Sequence, residues 1–286
     1  MKNTMKISLL VIVLFMVLTL SGCDTEHYNE SIYAEGGFGW VQAIVRGIAQ
    51  LVYQLSQFAG GHYVIGLIGI TLLVRILGWP IYSKSNALSA NMQMAQPELD
   101  KLKQKYQGKT DQASQKAHQQ ETMKIYKEYG INPLGCFLPL LQMPIFIAMY
   151  QTVRRIPLTE EFSDLNYEFL WFNFKAEPIS PFYSLENWTF LIMALIVGLT
   201  MFFYQRYAMK KPDILQNKKY RTQQQQQSEQ TMKYMSFFMT FMLVFIAFTN
   251  LGIAFYWIVG NLFQFFQTYI NRKKTIEKLE AKKNSL

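Results

Sequence analysis

The sequence predicts an all-α polytopic membrane protein with five transmembrane helices, and three observations lead to this prediction. Half of the 286 residues are hydrophobic and 16% are charged, whereas an average globular chain has about 25% charged residues. The 38 residues between Lys233 and Arg272 carry no charge. As one helix they would span about 57 Å, almost twice the hydrocarbon core, so they must form two helices. Basic and acidic segments also alternate along the chain.

The first 22 residues have the features of a lipoprotein signal peptide. Lys2 and Lys6 precede an apolar stretch of 14 residues, 7–20, which is short for a bilayer span. The sequence Leu20-Ser21-Gly22-Cys23 resembles a bacterial lipobox, in which small residues admit the peptidase and the thiol accepts the lipid. We therefore predict a signal peptide over 1–22 and a lipidated (palmitate-carrying) Cys23. The alternative is an unmodified cysteine at the end of an ordinary anchor helix.

The segment 23–61 is predicted to be extracytoplasmic and to contain an amphipathic helix over 38–59. Apolar side chains recur there at steps of three and four residues, and glutamines occupy the opposite side. Beside a membrane such a helix lies in the interface. The alternative is a helix of a soluble core, although no such core is evident nearby.

Five spans follow from the apolar runs. They are predicted over 62–83, 134–153, 188–206, 232–249 and 251–270. The segments between and after them are a cytosolic helical hairpin at 84–131 with its turn at Gln107–Asp111, an extracytoplasmic loop at 156–187, a cytosolic loop at 207–231 and a basic cytosolic tail at 271–286. A glutamine run in the second cytosolic segment, Gln223–Gln227, is interpreted as linker.

Charge sets the orientation of the spans. Three alternate segments together hold 21 basic and nine acidic residues, namely 84–131, 206–233 and 271–286. The positive-inside rule places them in the cytosol, so the N-terminus lies outside and the C-terminus inside. Arg154 and Arg155 end the second span on the outer side, and we interpret them as snorkelling anchors.

Arg75, inside the first predicted span, is the sharpest functional candidate. A charge there is costly and marks a functional site by default, and the five predicted spans contain no Asp or Glu. Either its side chain snorkels to the cytosolic end, about two turns away, or it faces a water-filled cavity and attracts transient anions such as acidic side chains of a passing peptide. Other polar residues could line that cavity or form interhelical hydrogen bonds instead. They are Gln142, Gln151, Thr200, Tyr204, Gln205, Asn261 and Gln264, near Tyr256 and Trp257.

Sequence motifs of enzymes are sparse. There is no Walker A loop, no GxSxG and no HExxH, the three histidines are scattered, and the chain has two cysteines. We therefore expect no enzymatic activity, no catalytic residue, no metal and no cofactor. The lack of intramembrane carboxylates and of inverted repeats also argues against a proton-coupled or small-solute transporter.

Residues 129–150, YGINPLGCFLPLLQMPIFIAMY, resemble the second-span signature of the YidC/Oxa/Alb family of membrane protein insertases. Arg75 followed by a charged hairpin, Trp257 in the last span and the order of five spans agree with this resemblance, which covers about residues 38–272. The lipobox is similar to that of Gram-positive members, which lack a large extracytoplasmic domain.

The resemblance implies a fold in which five helices enclose a hydrophilic groove, open to the cytosol and to lipid and closed outside. Arg75 matches the groove arginine, which engages acidic residues in the extracytoplasmic region of a substrate, and Trp257 matches a groove-lining aromatic. Gln142 and Thr200 are further groove candidates. Relatives carry a polar residue in the third span near Tyr204 and Gln205, and the choice between these two stays open.

The implied function is insertion, folding and assembly of integral membrane proteins, and of lipoproteins, without an energy source. The implied partners are nascent membrane-protein substrates, the lipid bilayer, the Sec translocon and the ribosome, which the basic tail and the hairpin would meet. The implied location is the bacterial cell membrane. The alternative is an assembly chaperone that acts only beside the Sec translocon; a small-solute transporter is less favoured.

Overall fold

Helices make up most of the described chain, as predicted for an all-α protein. The structure, a computed structural model, describes residues 30–34, 39–132, 138–179, 187–210 and 223–284, so the predicted signal peptide and Cys23 lie outside the described residues. The helices are α1 Gly39–Phe58, α2 Tyr63–Leu77, α3 Trp79–Lys105, α4 Gln112–Glu128, α5 Leu138–Arg155, α6 Trp188–Met209, α7 Gln223–Phe248 and α8 Leu251–Asn284.

The described residues form two compact units, and each unit joins segments that are distant in the sequence. The first unit holds the described residues within Met1–Val74, Pro139–Val197 and Phe245–Gly260. The second holds those within Arg75–Leu138, Gly198–Val244 and Asn261–Leu286.

Helix α1 coincides with the amphipathic helix predicted over 38–59, and it has two separate apolar sides. One side, with Val45 and Val52, is fully buried in the first unit. The other carries Ile44, Leu51 and Phe58 at seven-residue steps, and these are exposed, the phenylalanine by 95%. A helix with one apolar side on protein, one open apolar side and a polar face of glutamines suits the membrane interface.

Gly66 allows helix α2 to approach α1 closely. A Cβ atom at this position would overlap the Ser56 hydroxyl and the backbone carbonyl oxygen of Val52. The Ser56 hydroxyl donates a hydrogen bond to that carbonyl at 2.8 Å, so both groups are satisfied at the crossing. The absence of a side chain at Gly66 therefore determines how tightly α1 packs against α2.

Gly66→Ala is expected to destabilise the first unit by about 1–3 kcal/mol, because the added methyl group meets a backbone oxygen that no rotamer change can move. Thermal unfolding of the purified protein and hydrogen exchange of α1 measure this. The matched control is Gly47→Ala, since nothing lies within 4 Å of a Cβ at Gly47. Equal unfolding temperatures and equal exchange in the two variants would contradict the close packing.

The helix is interrupted at Gly78, inside the first span predicted over 62–83. Helix α2 ends at Leu77 and α3 begins at Trp79. Pro80 lies in the first turn of α3, where its missing N–H costs nothing, but it cannot continue a preceding helix. The same α3 then runs on into the first arm of the hairpin as far as Lys105.

Helices α3 and α4 pack as a helical hairpin, with its turn where the sequence predicts one, at Gln107–Asp111. Lys105 Nζ lies 2.8 Å from both carboxylate oxygens of Glu121, and the Tyr106 hydroxyl donates to the same carboxylate at 2.9 Å. These hydrogen bonds, the one from Lys105 foremost, hold the pKa of Glu121 below its usual range. At the other side of the turn, Asp111 accepts the backbone N–H of Ser114 at 2.8 Å and so caps α4.

The segment after α5 contains short regular elements where the sequence analysis predicts only a loop. Two 3₁₀ turns, Ile156–Leu158 and Glu160–Phe162, precede a two-stranded antiparallel hairpin of β1, Glu168–Phe169, and β2, Phe172–Asn173. Aromatic rings from this segment pack edge to face within the first unit. The pairs include Phe169–Phe255, Phe174–Phe255 and Tyr63–Phe174, with ring centroids 5.2–5.7 Å apart.

Within the described residues, α6 is long and apolar enough by itself to cross a membrane, and α2 and α3 meet the same requirement together as a bent pair. The apolar part of α7, Lys233–Phe248, is shorter. The five-span count therefore stays a prediction.

Two predicted segments after α6 are at least partly helical. The glutamine run, interpreted as linker, forms the first turns of α7; this interpretation was wrong because glutamine is a good helix former. The predicted tail at 271–286 begins as a continuation of α8, which extends to Asn284.

Candidate functional site

Arg75 lies in the last turn of α2, where neutral groups hold its side chain. Its Nη1 donates to Oε1 of Gln264, on α8, at 2.9 Å. Its guanidinium carbon lies 5.5 Å from the ring centroid of Tyr82, on α3. The side chain is half-buried, so a polar ligand can still reach it.

Gln264 connects Arg75 to the helix that carries the third predicted span. While its oxygen faces Arg75, its Nε2 donates to the hydroxyl of Tyr204, on α6, at 2.8 Å. A second glutamine on α8, Gln267, donates from Nε2 to the backbone carbonyl of Arg75 at 3.0 Å. We call Arg75, Tyr82, Tyr204, Gln264 and Gln267 the Arg75 cluster; all five belong to the second unit.

A further polar contact lies one helical turn away on the same two helices. Asn261 Nδ2 donates to the Thr200 hydroxyl at 3.3 Å. Because Asn261 precedes Gln264 by three residues and Thr200 precedes Tyr204 by four, the two contacts form a polar seam between α6 and α8. Thr200 therefore lies on the same seam as the Arg75 cluster.

Among the described residues, no acid balances the charge of Arg75. In the part of the chain that the structure describes, no carboxylate lies within ion-pair distance of its guanidinium. Its partners are an amide oxygen and an aromatic face, which orient the cation without neutralising it. Such a site can bind an anion without first breaking a salt bridge.

Gln205 lies in a different environment from its neighbour Tyr204. Its Oε1 accepts hydrogen bonds from the hydroxyls of Ser236 and Thr240 on α7, the second at 3.1 Å. The side chains of adjacent helical residues point about 100° apart. Tyr204 therefore meets Gln264 on α8, whereas Gln205 is bonded to α7.

Trp257 belongs to the first unit, where it is buried and stacks on Phe146 with ring centroids 6.1 Å apart. Gln151 is also buried there. The side chain of Gln142, like Cys23, lies outside the described residues.

Arg155 is 1% exposed, so its interpretation as a snorkelling anchor was wrong. Its Nε donates to the carbonyl of Glu30 at 3.1 Å, its Nη2 to the carbonyl of Ser31 at 2.6 Å, and its Nη1 to Oε1 of Gln42 at 3.1 Å. The guanidinium thus attaches the segment that precedes α1 to the end of α5. Arg154 beside it is half-buried.

Tyr82, Gln267 and the structural role of Arg155 were not recognised from the sequence. The signal for Gln267 was its position three residues after Gln264, one helical turn along α8. For Arg155 the sequence contains no comparable signal, because the acceptors are backbone carbonyls more than 120 residues earlier.

The chain matches known proteins over most of its length. A family profile described as 60Kd inner membrane protein matches residues 54–278. The chain is similar to the membrane protein insertase MisCA of Bacillus subtilis (strain 168), at 32% identity over 96% of this chain and 94% of that protein. It is also similar to the membrane protein insertase YidC of Oceanobacillus iheyensis, at 33% identity over 96% and 98%, and to YidC 1 of Halalkalibacterium halodurans, at 32% over 92% and 90%.

Proposed function

This chain belongs to the YidC/Oxa/Alb family of membrane protein insertases, and we propose that it inserts membrane proteins by offering the Arg75 cluster to the polar end of a substrate. The observation that carries the proposal is the half-buried guanidinium, whose partners among the described residues are neutral. An acidic side chain in the leading segment of a substrate would find there a cation that no carboxylate of the described chain occupies.

The proposed mechanism begins when the acidic tail of a substrate exchanges for the amide oxygen of Gln264 at the guanidinium. A carboxylate binds a guanidinium with two parallel hydrogen bonds, which an amide oxygen cannot match. Gln264 keeps its bond to Tyr204 and can take the cation back once the tail leaves to the outside. The cluster thus works as a temporary counter-charge.

Hydrophobic partitioning supplies the driving force in this proposal. A substrate helix of about 20 apolar residues gains about 6–12 kcal/mol on entering the bilayer, at about 0.3–0.6 kcal/mol for each residue. One charge at mid-membrane costs about 3 kcal/mol on the same scale. The gain exceeds the cost of one charge over the whole range, so no nucleotide hydrolysis is needed.

We assign the remaining predicted groove residues according to these contacts. Tyr204, rather than Gln205, is proposed as the polar groove residue of the third span, because its hydroxyl accepts a hydrogen bond from Gln264, which holds Arg75. Thr200 is proposed to extend the same polar surface. Gln142 remains a proposed groove residue as a polar side chain of the second predicted span, and Trp257 remains one on the family resemblance.

The proposed topology keeps the five spans, with a lipidated Cys23 outside and the C-terminus in the cytosol. The charge distribution supports it, and so does the open apolar stripe of α1, which suits an interfacial helix. The protein would be multi-pass in the bacterial cell membrane, acting alone or together with the Sec translocon on membrane proteins and lipoproteins.

Reconstitution tests the function. The purified protein in liposomes without the Sec translocon should insert a single-span substrate with an acidic N-terminal tail, measured as protection of the tail from external protease. Empty liposomes give the background. Insertion that appears only when the Sec translocon is added would instead support the assembly-chaperone alternative.

The basic tail is proposed to contact the ribosome, and the structure refines how it should be shortened. Arg272 donates from Nη1 to the carbonyl of Tyr207 at 2.6 Å and lies over the ring of that residue at 5.3 Å. Because Arg272 holds the end of α6, a truncation should begin at Lys273 and remove 273–286, with five lysines and two glutamates.

Removal of 273–286 is expected to abolish co-sedimentation with ribosomes at low salt while leaving the Arg75 cluster folded. Replacing the five lysines by glutamine should have nearly the same effect, since attraction to ribosomal RNA is electrostatic and screened by salt. The full chain should lose binding as salt rises. Ribosome binding by the truncated chain, or binding that persists at high salt, would show that other contacts dominate.

A further inference from the structure

The tip of the β1–β2 hairpin carries an exposed apolar side chain on a strained backbone. Leu170 and Trp171 form the two-residue turn, and Leu170 has φ 54°, a conformation that favours glycine. Among the described residues it is the one non-glycine with a positive φ. Its side chain is 74% exposed and that of Trp171 52%. In water both the backbone conformation of Leu170 and the exposure of its apolar side chain are energetically unfavourable.

The base of the same hairpin is firmly packed, so the tip is held in place. Phe172, next to the turn on β2, is buried. Phe169, next to the turn on β1, packs edge to face on Phe255 of α8 at 5.6 Å and on Phe172 at 5.8 Å. The exposure of the tip is therefore a property of the folded hairpin.

The tip is continuous with the exposed side of α6. The ring of Trp171 stacks on that of Trp188, with centroids 6.5 Å apart and planes at 19°. Trp188 is the first residue of α6 and is itself exposed, as are Leu191 and Leu195 three and seven residues later. These positions share one face of the helix, so one apolar surface runs from the hairpin tip onto a helix able to cross the membrane.

We infer that Leu170, Trp171 and Trp188 form an interfacial membrane anchor that inserts the hairpin tip into the boundary between headgroups and acyl chains. Tryptophan is enriched at this depth because its ring is apolar while its N–H still reaches water. We expect this apolar surface to contact lipid rather than a protein partner, since it continues the exposed side of α6 without a break. The inference rests on the proposed function in one respect, that α6 spans the membrane.

The anchor would set the depth at which the first unit sits in the bilayer. The hairpin is joined to α5 through the two 3₁₀ turns and to α8 through the ring of Phe255. Burial of the tip in lipid therefore opposes movement, along the bilayer normal, of the elements that pack against the hairpin.

The depth of a spin label tests the inference in the full-length protein in nanodiscs of phosphatidylethanolamine and phosphatidylglycerol. The label is placed by Leu170→Cys in a Cys136→Ser background, and the same background without the new cysteine reports any signal from Cys23. Glu161→Cys, on an exposed turn of the same unit, gives a reference outside the hairpin, and Leu191→Cys gives the reference within the span. Collisions with oxygen and with a water-soluble nickel complex measure the depth.

We expect the label at 170 to collide with oxygen at least several-fold more, relative to nickel, than the label at 161. A label introduced by Trp171→Cys should behave like that at 170, so the result does not depend on one variant. Nickel access at 170 and 171 equal to that at 161 overturns the anchor. In that case a label at 191 that is exposed to lipid shows that α6 still spans the membrane and that the anchor alone is wrong. A label at 191 that is exposed to water shows that the proposed topology is wrong as well.

Discussion

Arg75→Ala is expected to slow the insertion of single-span substrates with acidic N-terminal tails by about 10- to 100-fold. A hydrogen bond to a charged group contributes about 1.5–3 kcal/mol, and each 1.4 kcal/mol corresponds to a factor of ten. The measurement is the rate of tail protection in liposomes, at matched amounts of protein. Arg75→Lys keeps the charge but not the paired donors, and should fall between the wild type and the alanine variant.

The substrate provides the matched control for this prediction. Neutral amides in place of the acidic residues of the tail remove the partner of Arg75, so the Arg75→Ala defect should largely disappear with that substrate. An equal defect with acidic and neutral tails would contradict a role as counter-charge. So would normal insertion by Arg75→Ala.

Gln264→Glu gives an independent view of the same site. The amide oxygen of Gln264 lies 2.9 Å from Arg75 Nη1, so a carboxylate there would form an internal ion pair and compete with the substrate. Insertion of acidic-tailed substrates should then fall although Arg75 is still present. Gln264→Leu removes the amide without adding charge and should impair insertion less than Gln264→Glu.

Arg155→Ala is expected to destabilise the first unit by about 3 kcal/mol or more. It leaves the buried amide oxygen of Gln42 and the part-buried carbonyls of Glu30 and Ser31 without this donor, and a buried group left unsatisfied costs about 1–3 kcal/mol. The space that the buried side chain occupied adds to the loss. Thermal unfolding measures the total loss. Hydrogen exchange at residues 30–34 should rise before that of the rest of the unit.

Arg155→Lys separates a structural role from that of a charged anchor. Lysine keeps the positive charge and could snorkel, but its single ammonium cannot replace the planar fork that reaches three acceptors. It should therefore recover only a small part of the stability lost in Arg155→Ala. Full recovery by lysine would favour the snorkelling interpretation over the contacts described here.

Local sequence patterns predicted much of the secondary structure. The helix at 38–59 follows from its three- and four-residue periodicity, and the hairpin turn at Gln107–Asp111 follows from its residue types. The sequence analysis predicted no break at Gly78, because the apolar character continues past Gly78 through Trp79 and Ile81 although the helix does not. The low complexity of the glutamine run suggests linker, but the helix propensity of glutamine prevails and the run is helical.

The sequence by itself determined the family, the helical character, the distribution of charge and the presence of a cation in the first apolar run without an acid in any of the others. These are properties of composition and of short-range spacing, which need no knowledge of partners. The tertiary structure decided which polar groups meet. Arg75 and Gln264 are 189 residues apart in the sequence. Tyr204 and Gln205 are adjacent, but Tyr204 is bonded to α8 and Gln205 to α7. Arg154 and Arg155, at the end of α5, look alike in the sequence, yet Arg155 is buried and bonded to backbone carbonyls that precede α1. The sequence could not distinguish them, because hydrogen bonding to a distant main chain leaves no pattern in the side chains.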